Sequence, residues 1–170
     1  MSARPQPLDG PSEPFALAAR AAEQLAGRLG RNDHRLALWL GSGWQRALDE
    51  LNVTATTSTD ELAGFQPAGA MGHGSEAHSV RVDAPEGESL QALVFTGRTH
   101  LYEGHGPAAV AHGVRTAAAA GCTVAVLTNA AGCLRSGDAG ASDGGPDGAG
   151  AAWPIGRPAL ISDQPTPTGA

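Results

Sequence analysis

Three short, almost wholly apolar runs constrain what this chain can fold into: Leu36-Ala37-Leu38-Trp39-Leu40, Leu90 to Phe95, and Thr123 to Thr128. Runs of this kind read as strands, and the first, with no polar alternation, suits a strand buried on both faces of a parallel or mixed sheet. Helical patterns lie between and before them. Phe15, Ala18, Ala22, Leu25, Ala26 and Leu29 follow helical spacing, with Ser12 and Pro14 as start signals and Gly30 as the stop. Trp44 to Leu51 reads as helical with Trp44, Leu48 and Leu51 on one side. Pro107 to Ala120 reads as an Ala-rich helix closed by Gly121. Ser79 to Asp83 alternates like a further strand. The succession of strand, loop and helix predicts an α/β fold, with a mixed, partly parallel sheet flanked by helices.

Each apolar run leads into a loop that carries chemistry: Gly41-Ser42-Gly43, then Gly97 to Gly104, then Asn129-Ala130-Ala131-Gly132. Ligands of open α/β sheets bind outside the carboxyl ends of the strands. If the three strands are parallel neighbours, the three loops converge on one crevice. Composition limits what that crevice takes. The formal charge of −6 argues against broad nucleic-acid binding, which needs a cationic face. The chain has no lysine, so its 11 basic residues are all arginine and a Walker-type phosphate loop is excluded. Two cysteines, Cys122 and Cys133, make neither a disulfide scaffold nor a thiolate zinc site. His34, His78, His105 and His112 lack metal-ligand spacing, so no metal is expected. There is no signal-peptide core and no run long enough to span a bilayer, which leads to the expectation of a soluble, cytoplasmic protein.

Along the chain, residues 1–14 are expected to be a disordered tail and 15–135 an α/β core. Residues 136–152, SGDAGASDGGPDGAGAA, read as a low-complexity loop, and 153–170 as a partial continuation of the core with a short strand at Pro158 to Ser162.

The densest chemistry lies in Gly97-Arg98-Thr99-His100-Leu101-Tyr102-Glu103-Gly104. If the strand before it continues, its period of two puts Arg98, His100 and Tyr102 on one face. The planar fork of Arg98 suits a phosphate or carboxylate, and His100 adds a donor near neutral pH. Tyr102 suits either stacking on a sugar or core packing. Glu103 suits orienting Arg98, holding a hydroxyl, or facing solvent. Gly41-Ser42-Gly43 permits close backbone approach to an anion, yet also fits an ordinary strand-to-helix turn. It fails both the dinucleotide and the esterase-elbow patterns. His73, in Gly72-His73-Gly74, is a further donor or a surface histidine.

Taken together these motifs resemble, in order, those of the trimeric purine nucleoside phosphorylases. Gly97 to Gly104 is similar to the hallmark G-R-x-H-x-Y-E-G segment, Leu40 to Gly43 to the early phosphate loop, and Gly72-His73-Gly74 to G-H-x-G. Leu127 to Gly132 is similar to the T-N-A-A-G turn, and Ile161-Ser162-Asp163 to a later L-I-x-D-H run, with Gln164 in place of the histidine. The resemblance implies phosphorolysis of purine nucleosides to free base and pentose 1-phosphate. It places Ser42, His73, Arg98, Thr99, His100 and the Ala130 backbone N–H on phosphate, Tyr102 along the ribose, and His100 and Glu103 in catalytic roles. Inorganic phosphate is the co-substrate, with no metal and no organic cofactor, and the family assembles as homotrimers. It also implies a missing stretch beyond Asp163 that carries the base-gripping carboxylate and amide and another phosphate-contacting serine. The expectation is therefore a truncated phosphorylase. The alternatives are a non-catalytic remnant that binds phosphate only and a methylthioadenosine phosphorylase-like enzyme.

Overall fold

The computed structural model describes residues 13–41, 43–66, 75–83, 87–129 and 158. The chain divides into two units, Met1–Ala130 and Ala131–Ala170. Pro158 is the described residue of the second unit, so the expected loop 136–152 and the strand at Pro158 to Ser162 lie outside the described residues, as do residues 1–12 of the expected tail.

The first helix, α1 (Glu13–Leu29), buries Ala18, Ala21, Ala22, Leu25 and Leu29, a stripe of small residues and leucine at the spacing read from the sequence. Pro14 occupies its first turn, where a missing N–H costs nothing. Phe15, expected on the buried stripe, is 56 % exposed. Its ring instead lies 5.4 Å from the Arg115 guanidinium carbon, a cation–π contact to a later helix.

The strands are β1 (Leu36–Trp39), β2 (Asn52–Ser58), β3 (Glu76–Val82), β4 (Leu90–Phe95) and β5 (Val124–Leu127). They form one mixed sheet in the order β2-β3-β4-β1-β5. β1 pairs in parallel with β4 on one side and β5 on the other, while β2, β3 and β4 run antiparallel. The three apolar runs are thus parallel neighbours, with β1 between the other two. β2 was not expected. Its sequence, NVTATTS, is polar, but four of its seven residues are β-branched and fit a pleated, half-exposed surface. A hydrogen bond between Thr56 Oγ1 and His78 Nδ1 (2.9 Å) and one from Thr54 Oγ1 to the Ser79 carbonyl (3.1 Å) tie it to β3.

Alternation along β4 sends Leu93 and Phe95 to one face and Ala92 and Val94 to the other. The first face packs with Leu25, Leu29, Trp39 and Ala117. The second joins Leu40 and Val80, with Leu48 and Leu51 against them. Trp39 stacks on Phe95 with centroids 4.9 Å apart, and Phe65 stacks on Phe95 at 6.2 Å.

Two helical expectations change. Gln45–Glu50 is a 3₁₀ turn with no buried residue, because Leu48 and Leu51 only partly reach the core and no continuous apolar stripe holds a longer helix. Pro107 to Ala120 is two helices, α2 (Gly106–Val110) and α3 (His112–Ala119). The two are parted at Ala111, beyond which His112 Nε2 donates to the Ala63 carbonyl at 2.8 Å and its ring meets Phe65 edge-on. Gly113 follows, and a Cβ there would lie 3.4 Å from Trp39 Nε1, so α3 rests close against the tryptophan.

Candidate functional site

The tips of β4, β1 and β5 are fastened to each other at one level. The Leu40 N–H donates to the Phe95 carbonyl at 2.9 Å, carrying the β1–β4 pairing one residue further, and the Thr128 N–H donates to the Trp39 carbonyl at 3.0 Å on the other side. The Thr128 hydroxyl donates to the same Trp39 carbonyl and accepts from the Gly41 N–H, both at 2.9 Å. Gly41 passes so close to β5 that a Cβ on it would fall 2.2 Å from the Thr128 carbonyl oxygen. Only glycine fits there.

Arg98 leaves the tip of β4, crosses β1, and donates from Nη1 to the Thr128 carbonyl at 3.2 Å. Two strand spacings, about 10 Å, is the span an extended arginine covers. This contact uses one of the five guanidinium N–H groups. Among the described residues no carboxylate pairs with Arg98. The guanidinium lines a cavity of about 300 Å³ together with Thr99, His100, Gly97 and Ser75 on its polar side. Trp39, Phe65, Val110, Val114 and Leu127 supply apolar walls. The result is a small crevice lined by a cation, hydroxyls and apolar surface together, which suits an anion carrying a compact, partly apolar body.

The strand does not continue through the Arg98 segment. Backbone 97–100 is irregular and Leu101–Glu103 is a 3₁₀ turn, so the period-of-two face of Arg98, His100 and Tyr102 does not form. Glu103 decides this: its Oε2 accepts from the His100 N–H at 2.9 Å while its own N–H returns to the His100 carbonyl at 3.1 Å. Glu103 is exposed, as one of its three sequence readings allows, and it also holds the turn that presents His100. Tyr102 is 83 % exposed and stacks on the His100 ring at 4.8 Å, so core packing is excluded for it.

Arg98, Thr99, His100 and Glu103 are therefore brought to the cavity, and Tyr102 stands beside it on His100. Ser42, His73 and Ala130 lie outside the described residues; their neighbours Gly41 and Asn129 stand at the gathered tips. The sequence reading missed Ser75, which lines the cavity, and Thr128, which joins the tips. Thr128 had a signal, since it opens the T-N-A-A-G turn, but its hydroxyl's partners depend on strand order.

Other titratable groups serve the fold. His34 Nε2 is bonded to Ser79 Oγ at 2.9 Å. Burial pushes His34, His78 and His112 below the ordinary imidazole value and raises the Cys122 thiol. Among the described residues no group of three or more His, Cys, Asp or Glu is placed to hold a metal, and no helix is long and apolar enough to cross a membrane.

No protein-family model matches the chain. Curated relatives do. A purine nucleoside phosphorylase from Cellulomonas sp is 42 % identical over 160 residues, covering 93 % of this chain and 51 % of that protein. Those from Mycobacterium tuberculosis and Mycobacterium leprae are 42 % and 46 % identical over 153 and 125 residues, covering 89 % and 73 % of this chain. The chain spans about half the length of the curated relatives it matches. Among solved structures, a purine nucleoside phosphorylase in complex with ribose-1-phosphate superposes with a TM-score of 0.57 at 21 % identity, over 69 % of this chain and 41 % of that one. The Schistosoma mansoni enzyme in complex with inosine gives 0.56 at 20 % identity, over 69 % and 38 %. These two likenesses speak for the fold, and the sequence identities speak for descent. Over the stretch it shares with them, this chain belongs to the purine nucleoside phosphorylase family.

Proposed function

We infer that the crevice at the strand tips binds inorganic phosphate and that the protein catalyses, or takes part in, phosphorolysis of purine nucleosides. The observation that carries this reading is Arg98, held across three strand tips with no carboxylate partner among the described residues and open to a cavity. A phosphate oxygen attacks the anomeric carbon of the pentose as the bond to the purine nitrogen breaks. The pair of electrons and a proton end on the base, and the pentose leaves as its 1-phosphate. The pentosyl group gains positive charge on the way, and a phosphate anion fixed against it stabilises that charge. Arg98, Thr99 and His100 bind the phosphate from the described part of the crevice, with Ser42, His73 and the Ala130 N–H as the remaining contacts. His100 and Glu103 support the reaction, Glu103 through the His100 turn, and Tyr102 borders the ribose. The same reading makes the protein a cytoplasmic enzyme of purine salvage, working as a homotrimer without metal or organic cofactor.

Calorimetric titration with phosphate tests the first half. Arg98→Ala should weaken binding by about 2–5 kcal/mol, the range for truncating one partner of a desolvated charge pair. Equal affinity in the variant would overturn the assignment. Turnover of inosine with phosphate tests the second half. A second reading, phosphate binding without turnover, is favoured by the cavity lining itself. Its carboxylate among the described residues is Glu103, already engaged by the His100 N–H, and its side-chain amide is Gln66, so no free carboxylate lines it to grip a base. Phosphate affinity without inosine cleavage would select it.

A further inference from the structure

The register of the sheet brings a second hydroxyl to the crevice. β3 and β4 pair with Ala77 opposite Phe95. The Thr96 N–H then donates to the Glu76 carbonyl at 3.0 Å, carrying the ladder one step beyond the strands. One further step sets Ser75 opposite Gly97, the residue immediately before Arg98. Both line the cavity that holds Arg98 and His100. Ser75 Oγ lies 3.1 Å from the position a Cβ on Gly97 would take, with Ser75 Cα and Cβ at 3.5 and 3.6 Å. The hydroxyl thus occupies the room that glycine leaves open.

The backbone beneath that hydroxyl is pinned. The Ser75 carbonyl accepts from the Thr59 N–H at 2.9 Å and from Thr59 Oγ1 at 3.0 Å, and Thr59 is only 3 % exposed. A short side chain on fixed backbone loses little freedom when it binds, so its hydrogen bond comes at small entropic cost. In the G-H-x-G pattern that residues 72–75 resemble, the fourth position is glycine. Serine stands there in this chain, so the hydroxyl is a feature of its own.

We propose that Ser75 donates a hydrogen bond to a bound phosphate oxygen beside the Arg98 guanidinium, and that Gly97 is glycine to make room for it. The proposal rests on the phosphate reading above.

The test is calorimetric titration of the full chain with inorganic phosphate, comparing wild type, Ser75→Ala, Gly97→Ala, the double variant and Arg98→Ala. Ser75→Ala should raise the Kd about tenfold, the scale of one hydrogen bond to a charged acceptor. Its urea unfolding midpoint without phosphate should match wild type, which a structural role for the hydroxyl would not allow. Gly97→Ala should also weaken binding, by pressing the hydroxyl aside, and the double variant should bind no more weakly than Ser75→Ala alone. Unchanged affinity in Ser75→Ala, with binding lost in Arg98→Ala, would overturn this proposal and leave the phosphate reading standing. Additive losses in the double variant would overturn the part assigned to Gly97. Absence of phosphate binding in wild type would overturn both readings together.

Discussion

At the end of β1 the ladder to β5 is carried on by a side chain. The Thr128 hydroxyl bridges the Trp39 carbonyl, which also accepts from the Thr128 N–H, and the Gly41 N–H. Thr128→Val keeps the shape and removes both bonds, so it should cost about 1–3 kcal/mol, read from urea midpoints. Gly41→Ala should cost more than Thr128→Val, because its new Cβ meets backbone oxygen at 2.2 Å and relief requires moving the β5 tip. A Gly41→Ala protein as stable as wild type would contradict the close approach described. At this scale the sequence was informative where chemistry is local. Arg98, Thr99, His100 and Glu103 sit within six consecutive positions, and their spacing alone marked them. Thr128 and Ser75 were not legible as partners of that segment. The Gly41–Thr128 bond joins residues 87 apart, and Ser75 meets Gly97 only through the β3–β4 register.

Among the elements, β5 behaves least like its composition. Val124, Val126 and Leu127 are 54 %, 41 % and 54 % exposed, although the run reads as a core strand. Among the described residues it pairs with β1 alone and is the last strand of the sheet. A flat apolar edge of this kind invites pairing with other chains. Val126→Lys should lower concentration-dependent light scattering while moving the unfolding midpoint by no more than about 0.5 kcal/mol, as expected for a surface change. Unaltered scattering would show that self-association, if present, uses another surface. The apolar runs of β1, β4 and β5 were readable because burial selects continuous hydrophobicity. β2 was not, because its β-branched threonines carry strand propensity without apolar character. The split between α2 and α3 was hidden for the converse reason. Alanine-rich sequence favours helix throughout, and the long-range bond of His112 to Ala63 just past the break has no local signal.

Over the whole folded unit, burial makes three histidines harder to protonate than in the unfolded chain. Burial lowers the imidazole values of His34, His78 and His112 from the ordinary 6.5, outweighing the nearby Asp33 for His34 and Glu76 for His78. The unfolded chain therefore takes up protons that the folded chain refuses. Their contribution to stability is complete above the ordinary value and is lost as pH falls through 6.5 toward the lowered values. Each histidine adds up to about 1.4 kcal/mol per pH unit to that slope. Urea midpoints measured from about pH 8 down to about pH 5 should decline on the acid side. A flat profile would mean these imidazoles ionise as freely folded as unfolded. The α/β class, the parallel grouping of the three apolar strands and the meeting of their tips were legible from periodicity and from the rule for open sheets. Strand order beyond that grouping was not, since it is set by backbone ladders between β2, β3 and β4 whose register leaves little trace in hydropathy.

The geometry of β5 also links two events that look separate. Leu127 lines the crevice and Thr128 beside it takes the Arg98 bond, while the strand that leads to them is, among the described residues, the open border of the sheet. An oxyanion that stiffened the Arg98–Thr128 clasp would stiffen that border with it, and by reciprocal linkage whatever paired along the border would then favour the oxyanion.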